Sequence, residues 1–379
     1  MKSQSLDLSR GFLPPIDPLW QLPEPFAAWE EAGNLLSKLV LTPRLRPVVD
    51  ALPPFPADQL QDERELERAM TLLSYLANLY LWAPDQPVVN ALPRELARGW
   101  YAVSQRLDRP PALTYASQSL YNWRRLDPEG PVAVDNIIMK QTFVGSMDEV
   151  WFVTLHINIE AAAAPALQLL WPTLAAVADH DDEQIIANLA VIAGALNQMQ
   201  TLLERMPERC EPFIYYHRVR PFMFGWRDNP LLPDGLIYSG VEAWGDRPVQ
   251  FRGETGAQSS IVPALDAFLG VSHEFDEMRA YLLEMRDYMP APHRQLILDL
   301  ESASNLRAYV SGCHNSSLRE AYNGTIQALG AFRRLHIEFA ARYIIAPAKG
   351  AAAGEVGTGG TPFTVYLKKH IRETERHLL

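Results

Sequence analysis

The chain has 379 residues, 48% hydrophobic and 21% charged, the composition of an ordinary globular protein long enough for one large domain or two unequal ones. A formal charge of -11, from 34 basic and 45 acidic residues, excludes the basic footprint that non-specific nucleic-acid binding needs. The two cysteines, Cys210 and Cys313, stand outside any CxxC or Cys/His cluster, which excludes a disulfide framework and fits a reducing cytoplasm.

The opening "MKSQSLDLSRGFLPP" lacks the apolar core of a signal peptide. "LPPIDPLWQLPEPF" and "ALPPFP" read as extended, proline-pinned chain. The first strong helix is "DQLQDERELERAMTLLSYLANLYLW", with Leu66, Met70, Leu73, Leu76 and Tyr80 at helical spacing. A mixed stretch follows, and a smaller N-terminal domain is expected to end near residue 145, with helical patterns dominating beyond it.

In "VWFVTLHINIE", Phe152 and His156 share a face if the segment is helical. Trp151, Val153, Leu155, Ile157 and Ile159 alternate as in a strand, so periodicity leaves both readings open. The run "AAAAPALQLLWPTLAAVA" approaches the length of a membrane span. Two prolines interrupt it and no basic anchor flanks it, so it reads as buried core. "DHDD" reads as a helix cap rather than a metal site. "DDEQIIANLAVIAGALNQMQTLLERM" is a helix stopping at Pro207. "FIYYHRVRPFMFGWRDNP" gathers Tyr215, Tyr216, His217, Arg218 and Arg220, followed by Phe222, Phe224 and Trp226, which suits a planar ligand bearing a carboxylate or an aromatic core segment with exposed arginines.

"SSLREAYNGTIQALGAFRRLHIEFAARYIIAP" opens with a capping box at Ser317 and Glu320. Its roughly 28 residues would span about 42 Å. Leu329, Phe332, His336, Phe339 and Tyr343 fall on one stripe, with Arg333 one turn before the histidine. A buried imidazole suits haem iron and a nearby guanidinium suits a propionate. A hydrogen-bonded core histidine and a protein salt bridge explain the same two residues. "AKGAAAGEVGTGGTPF" reads as a mobile loop, because small residues cannot pack a core. "TVYLKKHIRETERHLL" reads as a short amphipathic helix. No internal repeat is visible.

Seven stretches in order, "YASQSLYNW", "WRDNPLLPDGLIYSG", "GAQSSIVPALDAFLG", "MRDYMPAPHRQLILDLES", "LREAYN", "FRRLHIEFAARYI" and "GTGGT", resemble the indoleamine 2,3-dioxygenase family. The resemblance is strong over residues 110–375 and loose before them. It implies an all-α fold, with a small, mainly helical N-terminal domain, residues 1–145, capping a large all-helical haem-binding domain, residues 146–379, and a haem-dependent dioxygenase that inserts O2 across the indole C2–C3 bond of L-tryptophan or a related indoleamine, giving N-formylkynurenine. Haem b, ferrous when active, would be held by His336, with Arg333 on a propionate and Asp266 supporting the proximal side. Arg220 matches the residue that grips the substrate carboxylate. Phe152 and Tyr115 match pocket-wall aromatics, and Thr255 and Gly256 fall where the family lines the haem edge. Gly359, Gly360 and Thr361 match a loop closing over substrate.

Two positions depart from the best-known mammalian pattern. His156 replaces a serine and resembles tryptophan 2,3-dioxygenases, where a histidine contacts the indole N–H. Tyr215 replaces a phenylalanine, and its added hydroxyl needs a partner if buried. The partners implied are an indole substrate and a reductant, with no nucleic acid and no membrane. Two other readings stay open: an oxygenase of a modified tryptophan in secondary metabolism, and an oxygen-binding haem protein of this fold without turnover.

Overall fold

The computed structural model describes residues 6–348, 369 and 371–379. Gly359, Gly360 and Thr361, and with them the expected closing loop, lie outside the described residues. Among the described residues, helices carry the fold, as expected. Strands are short: Ala91–Leu92 pairs with Ile237–Tyr238 and Trp123–Arg125 with Ile137–Met139, beside the strand Ser9–Phe12 and an isolated bridge between Leu236 and Val249.

Helix α1, Glu63–Leu81, begins where Asp62 accepts the Glu65 N–H at 2.9 Å, a side-chain N-cap. The spacing predicts one apolar face, yet every residue from Leu66 to Leu81 is buried. Neighbouring elements enclose the helix on all sides, so its charged residues need partners inside the protein. Arg68 reaches Glu30 with two bonds of 2.8 and 2.7 Å and Gln141 at 2.9 Å. Glu67 pairs with Arg109.

Helix α2, Met147–Ala162, is capped by Ser146, which accepts the Glu149 N–H at 3.2 Å. Glu149 turns back to accept from the backbone of Phe143, Val144 and Gly145. The strand-like alternation is thus overridden. Trp151, Val153, Leu155, Ile157 and Ile159 are buried, but so are Thr154, Asn158 and Glu160 between them. A helix enclosed all round loses the period that marks it in sequence. From Trp151 to Glu160, only Phe152 and His156 stay partly open, one turn apart.

The uncharged run folds as the short helices Ala164–Gln168 and Leu170–Ala178, with Leu167, Leu170, Leu174 and Val177 in the core. By length and composition, Met147–Ala178 and Asp182–Glu208 are each sufficient to cross a membrane; each packs one part of its surface, including Leu155, Leu170, Leu189 and Leu196, into the core. Helix α3, Asp182–Glu204, is capped by Asp181, which accepts the Gln184 N–H at 3.0 Å, so the acidic run is a cap. Helix α4 is Ile261–Leu269. Helix α5, Ser316–Ala340, lies along α3, where Thr325 Oγ1 donates to the Leu189 carbonyl at 3.2 Å. Its cap is Asn315, accepting the Leu318 N–H at 3.2 Å. The box expected at Ser317 and Glu320 therefore sits within the first turn and does not start the helix.

One continuous hydrophobic cluster runs from Phe12 to Tyr343. Two bonds from the α1 region cross it and pin the turn that carries Arg220. Asn78 Nδ2 donates to the Phe222 carbonyl at 2.7 Å and Trp82 Nε1 to the Phe224 carbonyl at 2.9 Å.

Candidate active site

Helices α2, α4 and α5 enclose a cavity of about 510 Å³, within the usual range for a small-molecule site. Phe152, His156, Tyr215, Arg220, Thr255, Gly256, Asp266, Arg333 and His336 all line it. Residues drawn from widely separated parts of the chain, and singled out in the sequence, therefore meet at one place.

His336 reaches the cavity from α5. The ring is open to the cavity rather than enclosed, and the neighbouring protein lowers its pKa by desolvation, so it is neutral at pH 7 and keeps a lone pair. No described group hydrogen-bonds it. A Cβ on Gly256 would lie 4.0 Å from His336 Nε2, so the missing side chain keeps space in front of that nitrogen. A neutral imidazole facing an apolar-walled cavity is the donor that haem iron takes, and these residues fit that group.

Arg333, one turn earlier, donates to Asp266 Oδ2 and Thr374 Oγ1. Asp266 also lies 3.3 Å from His273 Nε2, while His273 Nδ1 lies 2.8 Å from Glu373. Burial pushes the Asp266 carboxyl up, but Arg333 and His273 more than offset it and hold it at about 2. Asp266 is ionised, and Arg333 is anchored by a protein ion pair at the cavity wall.

Elsewhere on the cavity lining, His156 Nδ1 lies 2.7 Å from the Phe152 carbonyl. A carbonyl only accepts, so Nδ1 carries the proton. Burial pulls the pKa down to about 4, so the ring is neutral and Nε2 is left as an acceptor. The Phe152 ring centroid is 4.3 Å from His156 and 4.5 Å from Tyr215, forming an aromatic wall. Tyr115 stands behind His156, edge-on at 6.1 Å. Its hydroxyl is under the influence of Glu160 and Ser259, and it packs behind the wall expected of it without lining the cavity. The nearest partner of the Tyr215 hydroxyl is Met223 Sδ at 3.9 Å, a weak acceptor.

Arg220 is buried, with its guanidinium carbon 5.1 Å from the Tyr216 ring centroid and 4.7 Å from that of Phe224. Such stacking fixes the planar fork before a carboxylate arrives. Tyr215 and Arg220 bound a π-helical turn, Tyr215–Val219. Tyr115 precedes a second, Ala116–Leu120, and Tyr343 lies in a third, Ala341–Ile345. These wide turns re-aim side chains that ordinary helix would place elsewhere.

Three polar residues at or near the site were not singled out in sequence: Glu254, Gln118 and His273. Glu254 falls two residues before the quoted stretch "GAQSSIVPALDAFLG", and a single acidic residue in a loop carries no periodic or capping signal.

The model of the indoleamine 2,3-dioxygenase family matches residues 2–377. The chain is 33% identical to indoleamine 2,3-dioxygenase 1 of Rattus norvegicus, over all of this chain and 96% of that protein. It is 33% identical to the indoleamine 2,3-dioxygenase of Saccharomyces cerevisiae, over 96% and 90%. It is 30% identical to a 6-hydroxytryptophan 2,3-dioxygenase of Fusarium equiseti, over 96% and 94%.

Proposed function

The chain belongs to the indoleamine 2,3-dioxygenase family of haem-dependent oxidoreductases, and on that premise we propose that it opens the indole ring of L-tryptophan, or of a ring-substituted tryptophan, to an N-formylkynurenine. The observation that carries this reading is the gathering of two neutral histidines, His336 and His156, on the lining of one cavity that also holds a stacked arginine.

Haem b, held by His336, would supply the activation of O2 when ferrous, and Arg333 would meet one of its propionates. Arg220 takes the substrate carboxylate in a bidentate pair. Phe152 and Tyr215 hold the indole plane, which fixes one face of the C2–C3 bond toward the cofactor. His156 Nε2 accepts the indole N–H and so sets the rotation of the ring in its plane. It orients, and need not remove the proton. The apolar wall excludes water from the reacting carbons. In this reading Thr255 and Gly256 line the cofactor edge, and Gly359, Gly360 and Thr361 close over substrate. Residues 1–145 form the capping unit, a role supported by Tyr115 reaching His156. Two free cysteines suit a cytoplasmic setting with a separate reductant.

The test uses haem-loaded, reduced protein with L-tryptophan and isotopically labelled O2, and reads products by mass spectrometry. The expected product carries both atoms of one labelled O2. A stable oxygenated spectrum with no product from any indole amino acid refutes the dioxygenase reading and leaves oxygen binding.

A further inference from the structure

A second cavity, of about 600 Å³, shares no lining residue with the first. It lies between the loop ahead of Ile137–Met139 and helices α2 and α3. Trp151 of α2 organises its cationic part. The indole N–H donates to the Arg205 carbonyl at 3.0 Å, which ties α2 to the end of α3. The guanidinium carbons of Arg205 and Arg209 lie 5.3 and 5.0 Å from the centroid of the Trp151 ring, close enough for cation–π attraction.

The two arginines are not equivalent. Arg205 commits its fork to Glu208, with bonds of 3.0 and 3.1 Å. Arg209 makes no ion pair and no hydrogen bond among the described residues, so its charge is held at Trp151 with no acid to meet. Asp135, on the same lining, is likewise without an ion pair among the described residues. The two charges do not neutralise each other, and the cavity presents both to whatever enters it. Asn158 supplies a third group. Its side chain is almost wholly buried, and its Nδ2 donates to the Thr154 carbonyl at 2.8 Å. That bond fixes the amide and leaves Oδ1 an acceptor without a protein partner on the cavity lining. A buried acceptor of this kind calls for a donor. Ala161, Ala162 and Leu202 complete an apolar part of the wall.

We propose that this cavity is a second, non-catalytic binding site for an α-amino acid with an apolar side chain. The carboxylate pairs with Arg209, the ammonium with Asp135 and Asn158 Oδ1, and the side chain packs on Ala161, Ala162 and Leu202. The charges select that class. A simple anion answers Arg209, is repelled by Asp135 and leaves the Asn158 oxygen unmet. A simple amine answers Asp135 and is repelled by Arg209. A zwitterion answers all three groups. The proposal does not rest on the dioxygenase reading, because none of these residues lines the cavity that holds His336.

The experiment is calorimetric titration of haem-loaded protein with L-leucine, which has no indole. L-Leucinamide, without the carboxylate, and 4-methylpentanoate, without the ammonium, are titrated beside it. L-Leucine should bind once per chain, and each analogue at least about tenfold more weakly. Arg209→Gln should weaken L-leucine by a similar factor. Ala161→Phe, which fills the cavity and leaves its charges in place, should abolish binding. Both variants should keep the haem content and melting temperature of wild type. Three results overturn the proposal. Absence of L-leucine binding at millimolar concentration removes the site. Equal binding of 4-methylpentanoate and L-leucine reduces it to an anion site. Binding that survives unchanged in Arg209→Gln or Ala161→Phe places the ligand elsewhere. None of these outcomes bears on the dioxygenase reading, so the two can fail separately.

Discussion

Replacing Arg220 by alanine tests the substrate pose most directly. The guanidinium is buried and stacked on Tyr216 and Phe224, so a carboxylate that reaches it is desolvated and held by a preset fork. Removing one partner of such a pair costs about 2–5 kcal/mol, or roughly 30- to 5,000-fold in kcat/KM. Part of any loss will come from repacking, because the side chain also fills space between the two rings. Tryptamine separates the two effects, since it lacks the carboxylate but keeps the indole and the amine. Repacking lowers both substrates alike, whereas the lost pair lowers only tryptophan. The cycle of two proteins and two substrates should show a coupling of at least about 1.5 kcal/mol. Arg220→Lys should fall between, because an ammonium keeps the charge and loses the fork. The assay is steady-state turnover, with the Soret band and melting temperature as controls. Equal losses for tryptophan and tryptamine would refute carboxylate binding at Arg220 and the pose built on it.

Three other expectations follow from the packing. Gly256→Leu should fill the space before His336 Nε2 and abolish haem uptake while helicity by circular dichroism is kept; full haem occupancy would remove His336 as the axial ligand. Glu30→Ala should destabilise the protein by about 3–5 kcal/mol in urea unfolding, because it strands the buried Arg68 charge; a loss below about 1 kcal/mol would mean that Gln141 alone satisfies that guanidinium. His293 is buried, and burial pulls its pKa down to about 3. Between pH 6.5 and 3 the unfolded chain therefore binds the extra proton, so this residue's contribution is complete above about 6.5 and is lost as pH falls, at up to about 1.4 kcal/mol per pH unit. Glu149, raised by burial to about 7, has the opposite slope: its contribution is lost as pH rises toward 7. Urea midpoints of wild type and His293→Leu across pH 4–7 should converge at the acid end; a constant difference would show that His293 does not titrate as described.

The sequence alone established what depends on neighbours along the chain. Capping aspartates and apolar spacing located α1 and α3, because those signals act within one or two helical turns. The spacing of Phe152 and His156 already placed them on one face if that segment was helical, and seven ordered motifs identified the family. Local pattern did not resolve α2, since a helix buried on every side has no polar face to reveal its period. It also gave no sign of Glu254 and Gln118, which lie 136 residues apart in the sequence and meet beside the close crossing of Gly225 and Gly253. Only the tertiary structure decided these, along with the His156 tautomer, the stacking of Arg220 and the π-helical turns that aim Tyr215 and Tyr343. Each depends on what stands across the cavity or beneath the turn, and side-chain contacts between distant segments leave no periodic trace in the chain that makes them.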